Sequence, residues 1–112
     1  MTHLYIDDER TPTTDHEWVV VRSYNEAIDY LEANPCPSYI SFDHDLGDGP
    51  TGKDIATWMV RKDLNREPGN DYIPADFQFN VHSANPVGRD NIRAVLEGYL
   101  AFREVDLARI KS

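Results

Sequence analysis

Four short segments carry most of the chemistry available to this sequence: Asp7-Asp8-Glu9-Arg10, Asp43-His44-Asp45, Thr51-Gly52-Lys53, and His82-Ser83-Ala84-Asn85 with Arg89 following. Asp7 and Asp43 each come directly after a short apolar run, Leu4-Tyr5-Ile6 and Tyr39-Ile40-Ser41-Phe42. If those runs are neighbouring strands, the carboxylates end about 4.8 Å apart, repel, and raise one another's pKa. A hard divalent cation, Mg²⁺ or Mn²⁺, removes that conflict, because Mg²⁺ favours one or two carboxylates together with waters and phosphate oxygens. Asp7, Asp8 and Asp43 are therefore candidate metal ligands, with Asp45 a further one. A lone aspartate in such a place usually caps a loop or helix, whereas carboxylates after two separate strands favour a metal.

His44 and His82 also follow strands, and neighbouring strands would set them close together. Two imidazoles beside a phosphodiester can divide the work, one activating water and the other protonating the leaving oxygen. Ordinary structural roles fit the same positions, with His44 bonded to a nearby carboxylate and His82 at a half-exposed strand end. Ser83, Asn85 and Arg89 surround the start of the last helix, where free N–H groups and a guanidinium suit a phosphate. Thr51 opens a weaker second version of that seat. Arg10 either pairs with Asp7 or Asp8 or reaches a ligand phosphate. His3 and His16 carry no comparable signal.

Alternating strands and helices position these residues. Trp18-Val19-Val20-Val21 is a β-branched second strand. Ser23 with Glu26 forms a capping box, after which Tyr24, Ala27, Ile28 and Leu31 share a helical face until Asn34-Pro35-Cys36-Pro37. Thr51 with Asp54 opens a second helix carrying Ile55, Ala56, Met59 and Val60, which Pro68-Gly69-Asn70-Asp71 is expected to stop. Phe77, Phe79 and Val81 alternate with Gln78, Asn80 and His82, as in a strand with one face on a core. Asn85 and Pro86 then cap a helix whose stripe is Ile92, Val95, Leu96, Tyr99 and Leu100. Residues 105–112 have no assignable pattern. The expectation is one α/β domain over residues 1–112, a mainly parallel four-stranded sheet with about three helices. Arg10 to Glu17 is too short and too polar for a core helix, so the first connection is a loop. Ligands of such sheets bind beyond the carboxyl ends of the strands, which gathers Asp7, Asp8, Asp43, His44, His82 and Ser83 at one edge.

With 112 residues and 40% apolar content, the chain supports one modest core. Its 20 acidic and 11 basic residues give a net charge of −9, which repels duplex DNA but leaves room for a small phosphorylated ligand. No apolar run is long enough for a membrane span, the N-terminus has no signal-peptide layout, and one cysteine, Cys36, gives no disulfide framework. A cytoplasmic location is expected, as a monomer or a homodimer paired through an exposed sheet edge. The absence of GxxxxGK[ST] and GxSxG argues against P-loop and serine-hydrolase chemistry. Cys36, between prolines, is expected to be inert.

Asp7-Asp8, Asp43 and Ser83-Ala84 resemble the acidic pair, phosphoacceptor aspartate and Ser/Thr-Ala of response-regulator receiver domains. In more detail, DDERTP, SFDHDLG, TG and HSANPVGR are similar to cyclic-phosphate processing receiver domains, from about Leu4 to Leu100. The resemblance implies a truncated receiver-like (flavodoxin-like) three-layer sandwich with an acidic metal pocket. It further implies action on a cyclic phosphate of a nucleotide or an RNA end. Two departures stand out: there is no fifth strand ending in a lysine, since Lys111 has no strand before it, and the first helix is lost. Both weigh against two-component phosphotransfer. The leading expectation is a metal-dependent phosphoesterase with His44 and His82 as acid and base. The alternatives are a binding module without turnover and a divergent receiver phosphorylated on Asp43.

Overall fold

The computed structural model describes residues 2–12, 17–47, 49–65 and 71–111, with side chains through 103. Its elements run β1 (His3–Ile6), β2 (Trp18–Val21), α1 (Tyr24–Ala33), β3 (Tyr39–Phe42), α2 (Gly52–Leu64), β4 (Gln78–Val81) and α3 (Pro86–Lys111). The strands form one sheet in the order β2-β1-β3-β4, every pair parallel. This is the receiver-like α/β arrangement expected, with β1 and β3 central and β4 at an edge. Among the described residues no helix is long and apolar enough to cross a membrane.

The two faces of the sheet differ. Leu4, Ile6, Val21, Ile40, Phe42 and Val81 join one buried cluster with Ala27 and Leu31 of α1, Ile55, Ala56 and Met59 of α2, and Ile92, Leu96 and Tyr99 of α3. All three helices thus pack on the same face, so the described residues form two layers, sheet and helices, where a three-layer sandwich was expected. The opposite face carries His3, Tyr5, Trp18, Tyr39, Ser41, Gln78 and Asn80, and no described helix covers it.

Helix ends account for the sharp changes of direction. Ser23 Oγ accepts the Glu26 N–H at 3.1 Å, while the Glu26 carboxylate takes the N–H of Arg22. At α2, Asp54 accepts both the N–H and the hydroxyl of Thr51. That helix ends at Leu64, before the proline expected to stop it; residues 68–70, like 13–16, lie outside the described residues. Asn85 Oδ1 caps α3 by accepting the Gly88 N–H at 3.0 Å. The tail left unassigned by its sequence is helical: α3 continues to Lys111. Earlier in α3, Tyr99 and Arg103 bond to Asp63 of α2, which is fully buried and also accepts the Tyr72 and Ile73 N–H groups.

Two glycines clamp the end of β3. A Cβ on Gly52 would lie 2.1 Å from the carbonyl oxygen of Asp43, and one on Gly88 would lie 2.3 Å from the His44 ring. The starts of α2 and α3 therefore press directly on the Asp43-His44 pair. Gly47 and Gly49 serve differently, turning the following loop at φ of +85° and +103°. Because Gly52 meets backbone, Gly52→Ala is expected to lower the free energy of unfolding by about 1–3 kcal/mol. Urea denaturation checks this; an unchanged midpoint would contradict the close approach.

Candidate functional site

Parallel pairing in register sets the geometry. Ile6, Phe42 and Val81 are level across β1, β3 and β4, so Asp7, Asp43 and His82 come next on three adjacent strands. Their potential ligand atoms all lie within 4.8 Å of one another. Backbone bonds continue the pairing past the strand ends, from the Asp43 N–H to the Ile6 carbonyl and from the His82 N–H to the Phe42 carbonyl.

Asp7 is fully buried and fully bonded. Oδ1 accepts the N–H groups of Glu9 and Arg10, each at 2.8 Å. Oδ2 accepts Arg10 Nε at 2.8 Å and His82 Nε2 at 3.0 Å. Burial alone would raise its pKa, but the two backbone donors, the His82 bond and the Arg10 charge outweigh it and hold Asp7 below the ordinary value. Asp43 has the opposite balance. Burial and the Asp7 charge raise its pKa, against weaker opposition from Arg10, His82 and the Asp45 N–H. Arg10 stands between the two, its Nη2 3.6 Å from Asp43, with half of its side chain exposed. Arg22 fastens the turn by donating to the carbonyls of Asp7 and Arg10.

His82 Nδ1 lies 2.7 Å from Ser41 Oγ, and its ring stacks on Tyr5 at 4.5 Å with planes 8° apart. Burial lowers its pKa despite the Asp7 contact, which keeps the ring neutral near pH 7. Because ionised Asp7 requires a donor, the proton sits on Nε2 and the Nδ1 lone pair accepts the Ser41 hydroxyl.

The structure does not bring His44 and His82 to the same side. His44 lies one position further along its strand than Asp43 and turns toward the helices, packing on Gly88 and bonding Asp45 at 3.0 Å. His82 stands on the opposite face of the sheet, stacked on Tyr5. A cleft of about 380 Å³ gathers Asp7, Asp8, Arg10, Asp43, Asp45 and Ser83. Asp8 is exposed there, and Arg10 pairs with Asp7 rather than with it. Ser83 is buried, its hydroxyl accepting the Asn85 N–H at 3.1 Å. The capping bonds of Asn85 occupy the Gly88 and Arg89 N–H groups. The side chains of Arg89 and Thr51 do not line the cleft. The Cys36 thiol, half-buried on the other side of the core, is pushed by burial up to about 12, as suits an inert residue. Sequence reasoning missed Ser41 and Tyr5, which hold the His82 ring, and Gly52 and Gly88, which hold Asp43 and His44.

The donor set suits a hard cation: Asp43 is a buried carboxylate beside another, incompletely neutralised, and the cleft offers the exposed carboxylates of Asp8 and Asp45. The fold and this acidic, histidine-bearing strand edge define a receiver-like α/β domain altered at its reactive end. The family model for the cyclic-phosphate processing receiver domain matches residues 2–98, and the chain belongs to that family. No curated protein and no solved structure gave a significant match.

The raised pKa of Asp43 has a consequence for stability. An acid whose folded pKa exceeds its unfolded value of ~3.9 stabilises the fold below that pH and loses the contribution as pH rises through the folded value. Without metal, Asp43→Asn is therefore expected to melt at a higher temperature than the parent at pH 7, the gap closing toward about pH 3. Equal melting temperatures at pH 7 would contradict the like-charge conflict.

Proposed function

We propose that the domain is a phosphoesterase that opens a cyclic phosphate with the help of a divalent cation. The observation supporting this reading is the level row of Asp7, Asp43 and His82 across three strands, with Arg10 beside it. Asp7 and Asp43, with Asp8 or Asp45, would hold Mg²⁺ or Mn²⁺, which supplies charge neutralisation and polarises a phosphoryl oxygen. Arg10 is half exposed, so it can leave the carboxylates and bind a phosphate oxygen. Ser83, beside Arg10 in the cleft, offers a hydroxyl to the same group.

His82 begins neutral and carries the proton. Water forms a new bond to phosphorus while one ester P–O bond of the ring breaks. A water proton passes to His82 Nδ1, directly or through the Ser41 hydroxyl, and His82 returns a proton to the leaving oxygen. The products are one phosphomonoester and a free hydroxyl. Tyr5 stacking and the Asp7 bond hold the ring during this exchange. His44 orients Asp45 rather than sharing the proton work.

A second reading, binding without turnover, draws on the saturation of Asp7, whose oxygens already hold four donors. Removal of the imidazole separates the two. His82→Ala is expected to lower turnover of 2′,3′-cyclic nucleotides by about 100-fold or more while keeping the fold by circular dichroism. Full turnover in that variant would overturn the role of His82, and no turnover in the parent with Mg²⁺ or Mn²⁺ would favour the binding module.

A further inference from the structure

β4 ends the sheet on one side, and among the described residues it pairs with β3 alone. Alternate residues make its inner bonds: the N–H groups of Gln78 and His82 reach the carbonyls of Ser38 and Phe42. Phe79 and Val81, which lie between, therefore turn their N–H and C=O groups outward from the sheet. A cleft of about 340 Å³ runs along this edge. Tyr39, Gln78 and Asn80 reach it from one face of the sheet, and Phe77, Phe79, Arg93 and Glu97 from the other. Gln78, Asn80, Arg93 and Glu97 are exposed, and Phe79 is half-buried. β4 itself has no charge and no proline, the devices that commonly keep an open edge from pairing.

We infer that this edge pairs with β4 of a second copy of the chain, antiparallel about a two-fold axis at Asn80. The inference stands apart from the phosphoesterase reading. In that register Phe79 faces the partner's Val81 and Val81 the partner's Phe79, so every outward N–H and C=O of both strands is bonded. An axis at Phe79 would instead oppose Val81 to the partner's Phe77, whose N–H is already given to the Pro74 carbonyl. Asn80 lies on the axis, where two carboxamides, each donor and acceptor, bond one another. Half-buried Phe79 gains a β-branched neighbour, a favourable cross-strand pair. On the helical side, Arg93 and Glu97 stand about one turn apart with opposite charge. A two-fold axis reverses their order and brings Arg93 to the partner's Glu97, and Glu97 to the partner's Arg93. Each copy carries a net charge of −9, so association is opposed wherever the signs do not match. A foreign strand would have to fit the backbone alone; the symmetry of these groups about Asn80 is what commits the edge to the same chain. The register also lays the partner's Gln78 across from His82, about 4.5 Å away between Cα atoms. Each copy thus sets a side chain beside the other's imidazole.

A strand this short makes a small interface, so a dissociation constant of about 10–100 µM is expected. Sedimentation equilibrium of the whole chain, from about 1 µM to 1 mM, should show the mass rising from monomer toward dimer. Arg93→Glu, an exposed change, is expected to weaken the dimer about ten-fold. Adding Glu97→Arg to it should restore the dimer, because the reversed charges again meet their opposites. Cysteine pairing in a Cys36→Ser background reads the register. Asn80→Cys should give a disulfide-linked dimer under mild oxidation, since the two thiols face each other across the axis within disulfide reach. Gln78→Cys, roughly 14 Å from its own counterpart, should not. A monomer mass at every concentration overturns the inference. So does a dimer indifferent to Arg93→Glu, or one in which Gln78→Cys cross-links as readily as Asn80→Cys, because another face would then hold it.

Discussion

A carboxylate fully buried at the end of a central strand must be given donors, and Asp7 is given four of them. Much of the rest of the site follows from that requirement. The turn after β1 closes on Oδ1, which fixes Glu9 and Arg10. The Arg10 guanidinium and the His82 ring are drawn to Oδ2, and Arg22 secures the turn from the β2 side. Asp43 arrives beside an anion already satisfied and receives too little positive charge for its own. Asp7 is thereby held below the ordinary aspartate pKa, while Asp43 beside it is pushed above it.

Among the described residues the helices cover one face of the sheet only. Ser41 is buried and His82 nearly so, and both line a cavity together with Tyr5, Trp18 and Tyr39. The acidic cleft and this cavity adjoin at Glu9 and Arg10, which line both. The helical side is filled differently, by the glycine contacts that press α2 and α3 against Asp43 and His44.

Much of this organisation was legible in the residues. Period-two alternation marked β4, the Ser23, Thr51 and Asn85 caps marked the helix starts, and the stripe Ile92, Leu96, Tyr99 marked α3. The next position on the buried side of α3 is Arg103. That arginine is buried against Asp63 of α2, a pairing made by tertiary structure alone, and the helix runs on to Lys111. Leu4-Tyr5-Ile6 reads as one apolar run, which conceals that Tyr5 belongs to the open face while its neighbours enter the core. The grouping of Asp7, Asp43 and His82 followed from strand ends. Separation of His44 from His82 depends on the Phe42–Val81 register, and a shift of one residue sends a side chain to the opposite face.

The most direct test is a carbon-13 NMR titration of the aspartate carboxyl groups, assigned for Asp7 and Asp43, with and without Mg²⁺. Without metal, Asp7 should titrate below the ordinary aspartate value and Asp43 above it, and Mg²⁺ should draw the Asp43 midpoint downward. Two ordinary midpoints, both indifferent to Mg²⁺, would contradict a site organised around one satisfied and one unsatisfied carboxylate.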